Sequence, residues 1–200
     1  NTIVVFTSDN GGANYLGLND INQPYRGWKL SFFEGGIRVP YFIKWPERVP
    51  AGSEYTSPVA HIDIFPTLLA AAGVDMPDDR VIDGVDILAP ALNVNQPSLD
   101  RPLYWRDAGY KVVQEGGWKL QLQEQNGQRW LYNLNDDPTE KRNLINSHPD
   151  RAELLMQILY EIDGQMNDPL WPGLTSREVS VDYTLENVPE GEIETVIWTN

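Results

Sequence analysis

Apolar and polar positions divide the chain into two parts with different patterns. Near the start, residues 2–8 contain the continuous apolar run Ile3-Val4-Val5-Phe6, and a second run extends from Val39 to Trp45. Continuous β-branched and aromatic runs of this length are typical of strands that are buried on both faces of a parallel sheet. The segment between the runs, residues 13–36, is rich in Asn and Gly without any period, which predicts a long loop.

One helix is predicted in this first part. Asp63 stands at the N-cap position, Pro66 in the first turn, and Leu68 to Ala72 form the body. Gly73 follows where a glycine commonly ends a helix. The polar stretch from Asn93 to Asp100 then predicts a boundary between subdomains.

The second part alternates with a period of two. Trp118-Leu120-Leu122 and Trp130-Tyr132-Leu134 flank Asn126-Gly127, which is a strong signal for a β-hairpin. Apolar residues at helical spacing predict an amphipathic helix over 149–166, with Ser147 and Asp150 as a capping box. Short strands are predicted at Leu103–Trp105, Lys111–Val113 and Ile193–Trp198.

These elements predict a chain of the α/β class in three segments. Residues 1–100 form part of an α/β sheet domain, and residues 101–168 form a small α+β subdomain of antiparallel sheet plus helix. Residues 169–200 form a C-terminal extension.

Composition then excludes several functions. With 15 Lys and Arg against 29 Asp and Glu, the 200-residue chain has a net charge of −14, which disfavours nucleic-acid binding. No apolar run approaches the ~18 residues of a membrane span. Without cysteine, the chain has no disulfide, thiolate metal site or thiol nucleophile.

Asp9 and Asn10 are candidate metal ligands. They come directly after the first predicted strand, and ligands of α/β sheets bind at the carboxyl ends of strands. Carboxylate and amide oxygens suit Ca²⁺ or Mg²⁺, but two donors are fewer than the ~6–8 that Ca²⁺ takes. From these residues alone, a plain Asn-Gly turn is the favoured interpretation.

Lys29 and His61 are the other candidates. Lys29, in Arg26-Gly27-Trp28-Lys29, could hold an anionic oxygen or protonate a leaving group, although from this residue alone a surface lysine is the favoured interpretation. His61 is better explained as a structural histidine, and Asp63 as the helix cap. The Trp and Tyr residues of the hairpin fit packing better than base stacking.

Several blocks together resemble the second half of a type I sulfatase. They are S-D-N-G-G at 8–12, R-G-W-K at 26–29, E-G-G-I-R-V-P at 34–40, H-I-D-I-F-P-T-L-L at 61–69 and L-Y-N-L-N-D-D-P-T-E-K-R-N-L at 131–144. The last block resembles the family pattern L-Y-D-L-x-x-D-P-x-E-x-x-N-L. The resemblance covers about residues 1–165.

The resemblance implies an alkaline-phosphatase-like fold and hydrolysis of sulfate esters. In that family the nucleophile is a formylglycine made from a C/S-x-P/A-x-R motif, and a Ca²⁺ ion is the metal, with Mg²⁺ less favoured. The implied metal ligands here are Asp9 and Asn10, and Lys29 would contact the sulfate and the leaving oxygen.

The nucleophile motif is absent from this sequence. The two Asp residues that hold the Ca²⁺ near the N-terminus of family members are also absent. We therefore expect a C-terminal fragment that is inactive by itself and needs the upstream half of the same protein as its partner. A sulfated small molecule or sulfated carbohydrate is the expected substrate, and a periplasmic or secreted location is favoured. Two alternatives remain open: a related phosphodiesterase or phosphonate monoester hydrolase, and a non-catalytic module that binds carbohydrate or a partner.

Overall fold

The computed structural model describes residues 1–92, 99, 101–171, 173–184, 186–187, 190–191 and 193–199. The strands are β1 (Val4–Thr7), β2 (Tyr41–Lys44), β3 (Leu103–Asp107), β4 (Tyr110–Glu115), β5 (Trp118–Gln123), β6 (Gln128–Asn133), β7 (Ser176–Ser180) and β8 (Thr195–Thr199). The helices are α1 (Glu34–Ile37), α2 (Ile64–Ala72), α3 (Leu88–Leu92) and α4 (Pro149–Asp163), with 3-10 turns at Asn14–Leu16 and His61–Asp63.

Strands β1 and β2 form a two-stranded sheet at the positions of the two apolar runs. Exposed and half-buried residues alternate along both strands, and Phe6 is 62% exposed. The expectation that the first run is buried on both faces is therefore wrong for this chain. The described sheet has only two strands here, so its apolar side chains are not enclosed as they are inside a larger parallel sheet.

The described chain divides into two compact units, one of residues 1–5 and 42–101 and the other of residues 6–41 and 102–200. The boundary predicted at Asn93–Asp100 lies almost wholly outside the described residues. The division into 1–100, 101–168 and 169–200 stays a prediction.

Helix α2, in the first unit, begins after Asp63 and ends at Gly73 as predicted. Gly73 adopts a left-handed conformation at φ 67°. Asp63 is the N-cap residue of α2, as predicted, but its carboxylate makes no capping bond to that helix. It accepts hydrogen bonds from the Ala60 N–H at 2.7 Å and the Val85 N–H at 3.0 Å instead. It also pairs with Arg101 at 2.5 Å, so this buried carboxylate joins three segments of the unit.

The second unit is built on an antiparallel sheet in the order β3-β4-β5-β6. One face packs against α4 through a buried cluster that includes Leu120, Leu155 and Leu159. On the other face, Phe33 from the long loop joins a cluster with Tyr110, Val112, Trp130, Tyr132, Val179, Val181 and Val196. The sheet therefore has a packed layer on each side.

The predicted hairpin at Asn126-Gly127 is confirmed, with Gln123 opposite Gln128 in the register of β5 and β6. Trp130 and Tyr132 are buried in packing, as expected. The polar side chains of β5 would usually face solvent in a hairpin of this pattern. Here Lys119, Gln121 and Gln123 are fully buried. The long loop and the C-terminal strands cover this face.

The ends of the second unit agree only in part with the sequence patterns. Helix α4 is confirmed, but the predicted capping box is wrong: His148 is the N-cap residue, and the Ser147 hydroxyl donates to the Leu144 carbonyl at 3.1 Å. The last strand is confirmed as β8, which pairs with the unpredicted β7. Gln123 fastens β8 to the sheet by bonding the Ile197 N–H and carbonyl at 3.0 and 3.1 Å.

Candidate functional site

All three candidate site residues line one cavity of about 550 Å³ in the second unit. Asp9 and Asn10 lie just past the end of β1, and Lys29 belongs to the loop that precedes α1. The cavity is formed within residues 8–40, a range that includes the segment 13–36 predicted from the sequence as a long loop.

Backbone hydrogen bonds hold the loop segments around this cavity. The Gly11 N–H donates to the Gly36 carbonyl at 2.9 Å, and the Lys29 N–H donates to the Gly12 carbonyl at 3.0 Å. The Asn22 side chain accepts from the Gly12 N–H at 2.7 Å and donates to the Gly12 and Gly27 carbonyls at 2.9 and 3.1 Å. Asn22 therefore takes the place of regular secondary structure in joining the segments that carry Asp9, Asn10 and Lys29.

Gly11 is required by close packing of the backbone. A Cβ atom at this position would stand 1.8 Å from the Gly35 carbonyl oxygen, well inside van der Waals contact. Gly35 and Gly36 are equally confined, because a Cβ on either would come within 2.3 Å of a backbone oxygen. The glycines after Asp9-Asn10 and in the E-G-G block thus let the two turns touch.

The oxygen atoms of Asp9 and Asn10 are available for a cation. Asp9 is exposed, and within the described part of the chain its Oδ1 accepts one hydrogen bond, from the Asn10 N–H at 3.0 Å. The Asn10 amide donates through Nδ2 to the Gly11 carbonyl at 2.9 Å, which leaves Oδ1 without a hydrogen bond among the described residues. A carboxylate and an amide oxygen in this state fit a hard divalent cation such as Ca²⁺.

The donor set within the described chain is small. The residues that the structure describes contain no group of three or more His, Cys, Asp or Glu side chains placed to hold a metal ion. Asp9 and Asn10 would thus supply two of the ~6–8 oxygen ligands of Ca²⁺.

Lys29 and Arg38 bring positive charge to the same cavity. The Lys29 ammonium forms no ion pair within the described part of the chain, so it is available to an anion. Arg38 differs, because it pairs with Glu34 at 3.5 Å and stacks over the Tyr25 ring at 4.7 Å. Lys29 is therefore the better placed of the two cations to contact an anionic ligand.

Arg26 fixes the loop of Lys29 from behind. It forms a two-pronged ion pair with Asp182, at 2.6 Å for each nitrogen–oxygen contact, and a further pair with Glu194. Burial lowers the pKa of Arg26, but the hydrogen bonds to Asp182 and Glu194 raise it by more. The net effect is a pKa above the usual value of arginine. Both carboxylate partners lie more than 150 positions away from Arg26 in the sequence.

The sequence analysis did not identify Asn22, Asp182 or Glu194. It also did not identify Lys119 and Glu140, which contact Glu34 at the start of the E-G-G turn. Asn22 sits in an unpatterned polar loop and has no distinguishing signal. His61 belongs to the first unit and does not line the cavity, while His148 is exposed beside Trp118. None of the helices in the described part of the chain has the length and apolar character needed to cross a membrane.

The fold places the chain in a structural class. It is similar to the crystal structure of Ps i-CgsB in complex with k-i-k-neocarrahexaose, with a TM-score of 0.72 and 29% identity over 86% of this chain and 38% of that one. Other solved structures with this fold include the PsFucS1 sulfatase from Pseudoalteromonas sp. and the phosphonate monoester hydrolase of Agrobacterium radiobacter. The chain thus has the α/β fold of the alkaline-phosphatase-like class, as predicted.

Sequence comparisons identify the family. Residues 1–74 match the sulfatase family model. The chain is 32% identical to rat (Rattus norvegicus) steryl-sulfatase over 157 residues, which is 74% of this chain and 26% of that protein. It is 43% identical to dog (Canis lupus familiaris) N-acetylgalactosamine-6-sulfatase over 122 residues, which is 60% of this chain and 23% of that protein.

The chain therefore belongs to the sulfatase family, and the resemblance drawn from its motifs is confirmed. It spans about a quarter of the length of these two relatives and corresponds to a partial, C-terminal region of them.

Proposed function

We propose that the complete protein containing this sequence is a sulfuric ester hydrolase that acts on a sulfated carbohydrate or a small sulfated molecule. The observation that carries the proposal is the meeting of Asp9, Asn10 and Lys29 at one cavity, within the segment that matches the sulfatase family. N-acetylgalactosamine-6-sulfatase, by its name a sulfatase of an amino sugar, supports the carbohydrate class.

The chemistry of these side chains suits the reaction. Cleavage of a sulfate ester develops negative charge on the leaving oxygen and on the sulfate oxygens. A bound Ca²⁺ would supply fixed positive charge at the sulfate. Asp9 and Asn10 would hold that cation, and the ammonium of Lys29 would bind the sulfate and stabilise the leaving oxygen.

The proposal assigns the remaining parts to sequence outside this chain. The formylglycine nucleophile and further metal ligands belong to an upstream half, with which this chain pairs, and the 200-residue chain by itself is inactive. A periplasmic or secreted location is part of the same proposal.

The deciding assay compares three ester classes on the complete protein: an aryl or sugar sulfate, a phosphodiester and a phosphonate monoester. We expect Ca²⁺-dependent release of sulfate to exceed release from the phosphorus esters. Preference for a phosphorus ester would assign the protein to the alternative hydrolase, and carbohydrate binding without turnover of any ester would indicate a non-catalytic module.

Asp9→Ala is expected to abolish saturable Ca²⁺ binding to the complete protein, because it removes the carboxylate that lies just past the end of β1. Isothermal calorimetry with CaCl₂ measures this directly. Asp20→Ala is the matched control, since Asp20 lies in the same loop region but does not line the cavity. Equal Ca²⁺ affinity in the two variants would remove Asp9 from the metal site.

Lys29→Ala is expected to lower kcat for a sulfate ester by about 10²-fold, because the leaving oxygen loses a compensating charge. Lys44→Ala removes an exposed lysine outside the cavity and should leave the rate unchanged. An unchanged kcat in Lys29→Ala would show that this ammonium does not take part in the reaction.

A further inference from the structure

A buried cluster of charges lies behind the E-G-G turn. Lys119 is 0% exposed and places its Nζ 2.9 Å from Glu34 Oε1 and 2.9 Å from Glu140 Oε1. Glu140 Oε2 also accepts the backbone N–H of Glu34 at 2.5 Å. The three side chains come from a β-strand, a one-turn helix and a loop that are far apart in sequence, and nothing proposed for catalysis uses them.

Further hydrogen bonds hold Glu140 in place. Gln121 donates to Glu140 Oε1 at 3.2 Å, and Arg26 donates to the Glu140 carbonyl at 3.3 Å. Glu140 has a left-handed backbone, at φ 53°, which is unfavourable for a residue with a side chain and persists only where its surroundings determine it. Burial raises the pKa of Glu140 to about 7, while Lys119 acts against this rise.

The cluster reaches the candidate metal loop through two backbone contacts. Glu34 begins α1, and the carbonyl of Gly36 in the same turn accepts the Gly11 N–H at 2.9 Å. Gly11 follows Asn10 directly and packs so tightly against Gly35 that a methyl group would not fit between them. A displacement of the turn at Glu34 would therefore displace the loop that carries Asp9 and Asn10.

The chemistry of the cluster favours a role in fixing a position. Burying three ionised groups costs desolvation, and apolar side chains of the same volume are often at least as stabilising. Apolar packing, however, does not fix the direction of a backbone N–H group. Here the Glu140 carboxylate binds the Glu34 N–H while Lys119 binds both carboxylates, so the first peptide of α1 is held in one orientation.

We propose that Lys119 and Glu140 are positioning residues for the Asp9-Asn10 site, which they hold in place through Glu34 and the Gly35-Gly36 turn. Neither residue lines the cavity, so both act through the turn and not on a ligand. The inference rests on the proposed function in calling that loop a metal site. The mechanical link between the cluster and Gly11 is independent of any ligand.

The first test is hydrogen exchange on the complete protein, followed amide by amide by NMR. Lys119→Met and Glu140→Gln should speed exchange of the Gly11 N–H by about 10-fold relative to core amides of β4 and β5. Leu120→Ala is the matched control, because Leu120 is the next residue of β5 but packs on the opposite face against α4. This control should speed exchange of the core amides without a selective effect at Gly11.

The proposal is overturned if the exchange rate of the Gly11 N–H changes by the same factor as that of the core amides in all three variants. Should Lys119→Met fail to fold, Glu140→Gln decides the question, because it keeps the side-chain volume and removes the charge. A selective increase of Gly11 exchange in Glu140→Gln supports the link. The absence of such an increase overturns it.

The second test measures Ca²⁺ affinity of the complete protein. Lys119→Met should weaken it by about 10-fold, as expected of a residue that orients a ligand without touching the metal, whereas Leu120→Ala should not. Unchanged affinity in Lys119→Met, in a protein whose Asp9→Ala variant has lost Ca²⁺, would overturn the positioning role. If Asp9→Ala itself leaves Ca²⁺ binding intact, the proposed metal site fails, and the exchange experiment still decides the link to Gly11.

Discussion

Gly11→Ala is expected to destabilise the second unit by at least about 3 kcal/mol and to abolish Ca²⁺ binding by the complete protein. The added methyl group would stand 1.8 Å from the Gly35 carbonyl oxygen and 2.8 Å from its carbon. Both are backbone atoms, so no side chain can rotate away, and the two turns must separate. The hydrogen bond between the Gly11 N–H and the Gly36 carbonyl would be lost with them.

Urea unfolding measures the change in free energy, and calorimetry measures the Ca²⁺ affinity. Gly164→Ala is the matched control, because Gly164 has an ordinary φ of −66° and its nearest contact to an added Cβ would be 3.2 Å. Should Gly11→Ala prove no more harmful than Gly164→Ala, the two turns would not be in the tight contact described above.

Asp63→Ala is expected to destabilise the first unit by about 3–5 kcal/mol. Asp63 is fully buried, and its removal leaves Arg101 without its ion pair and the Ala60 and Val85 N–H groups without their acceptor. Urea unfolding followed by the indole N–H NMR signal of Trp45, which belongs to the same unit, measures the loss.

The control for this prediction is Asp79→Ala. Asp79 also forms an ion pair, with Arg80, but both side chains are exposed to solvent. Exposed pairs contribute little because water screens them. A similar loss in the two variants would show that burial of Asp63 is not the source of its effect.

Local patterns in the sequence predicted the elements well. The hairpin at Asn126-Gly127 and helix α4 follow from periodicity over short stretches, which reports how a segment meets its nearest layer. The same reasoning does not indicate that Lys119 is buried, because alternation marks the polar side of β5 without showing that a second layer covers it. That layer comes from residues distant in sequence, which no local period records.

The candidate site shows the same division. Asp9, Asn10 and Lys29 were found through motif blocks, and the structure brings them to one cavity. Asn22, which ties their loops together, is one polar residue among many in its segment. Ser147 and Asp63 were assigned to helix caps from their spacing alone. In the structure the Ser147 hydroxyl donates to the Leu144 carbonyl, and the Asp63 carboxylate pairs with Arg101.

The two carboxylates that grip Arg26 bear on how this polypeptide folds as it leaves the ribosome. Synthesis is vectorial, and early segments generally begin to fold before later ones exist. The loop of Arg26 and Lys29 is translated more than 150 codons before Asp182 and Glu194. The nascent loop therefore stays without these ion pairs until both carboxylates have been translated, and a premature stop before codon 182 would leave it without its anchor.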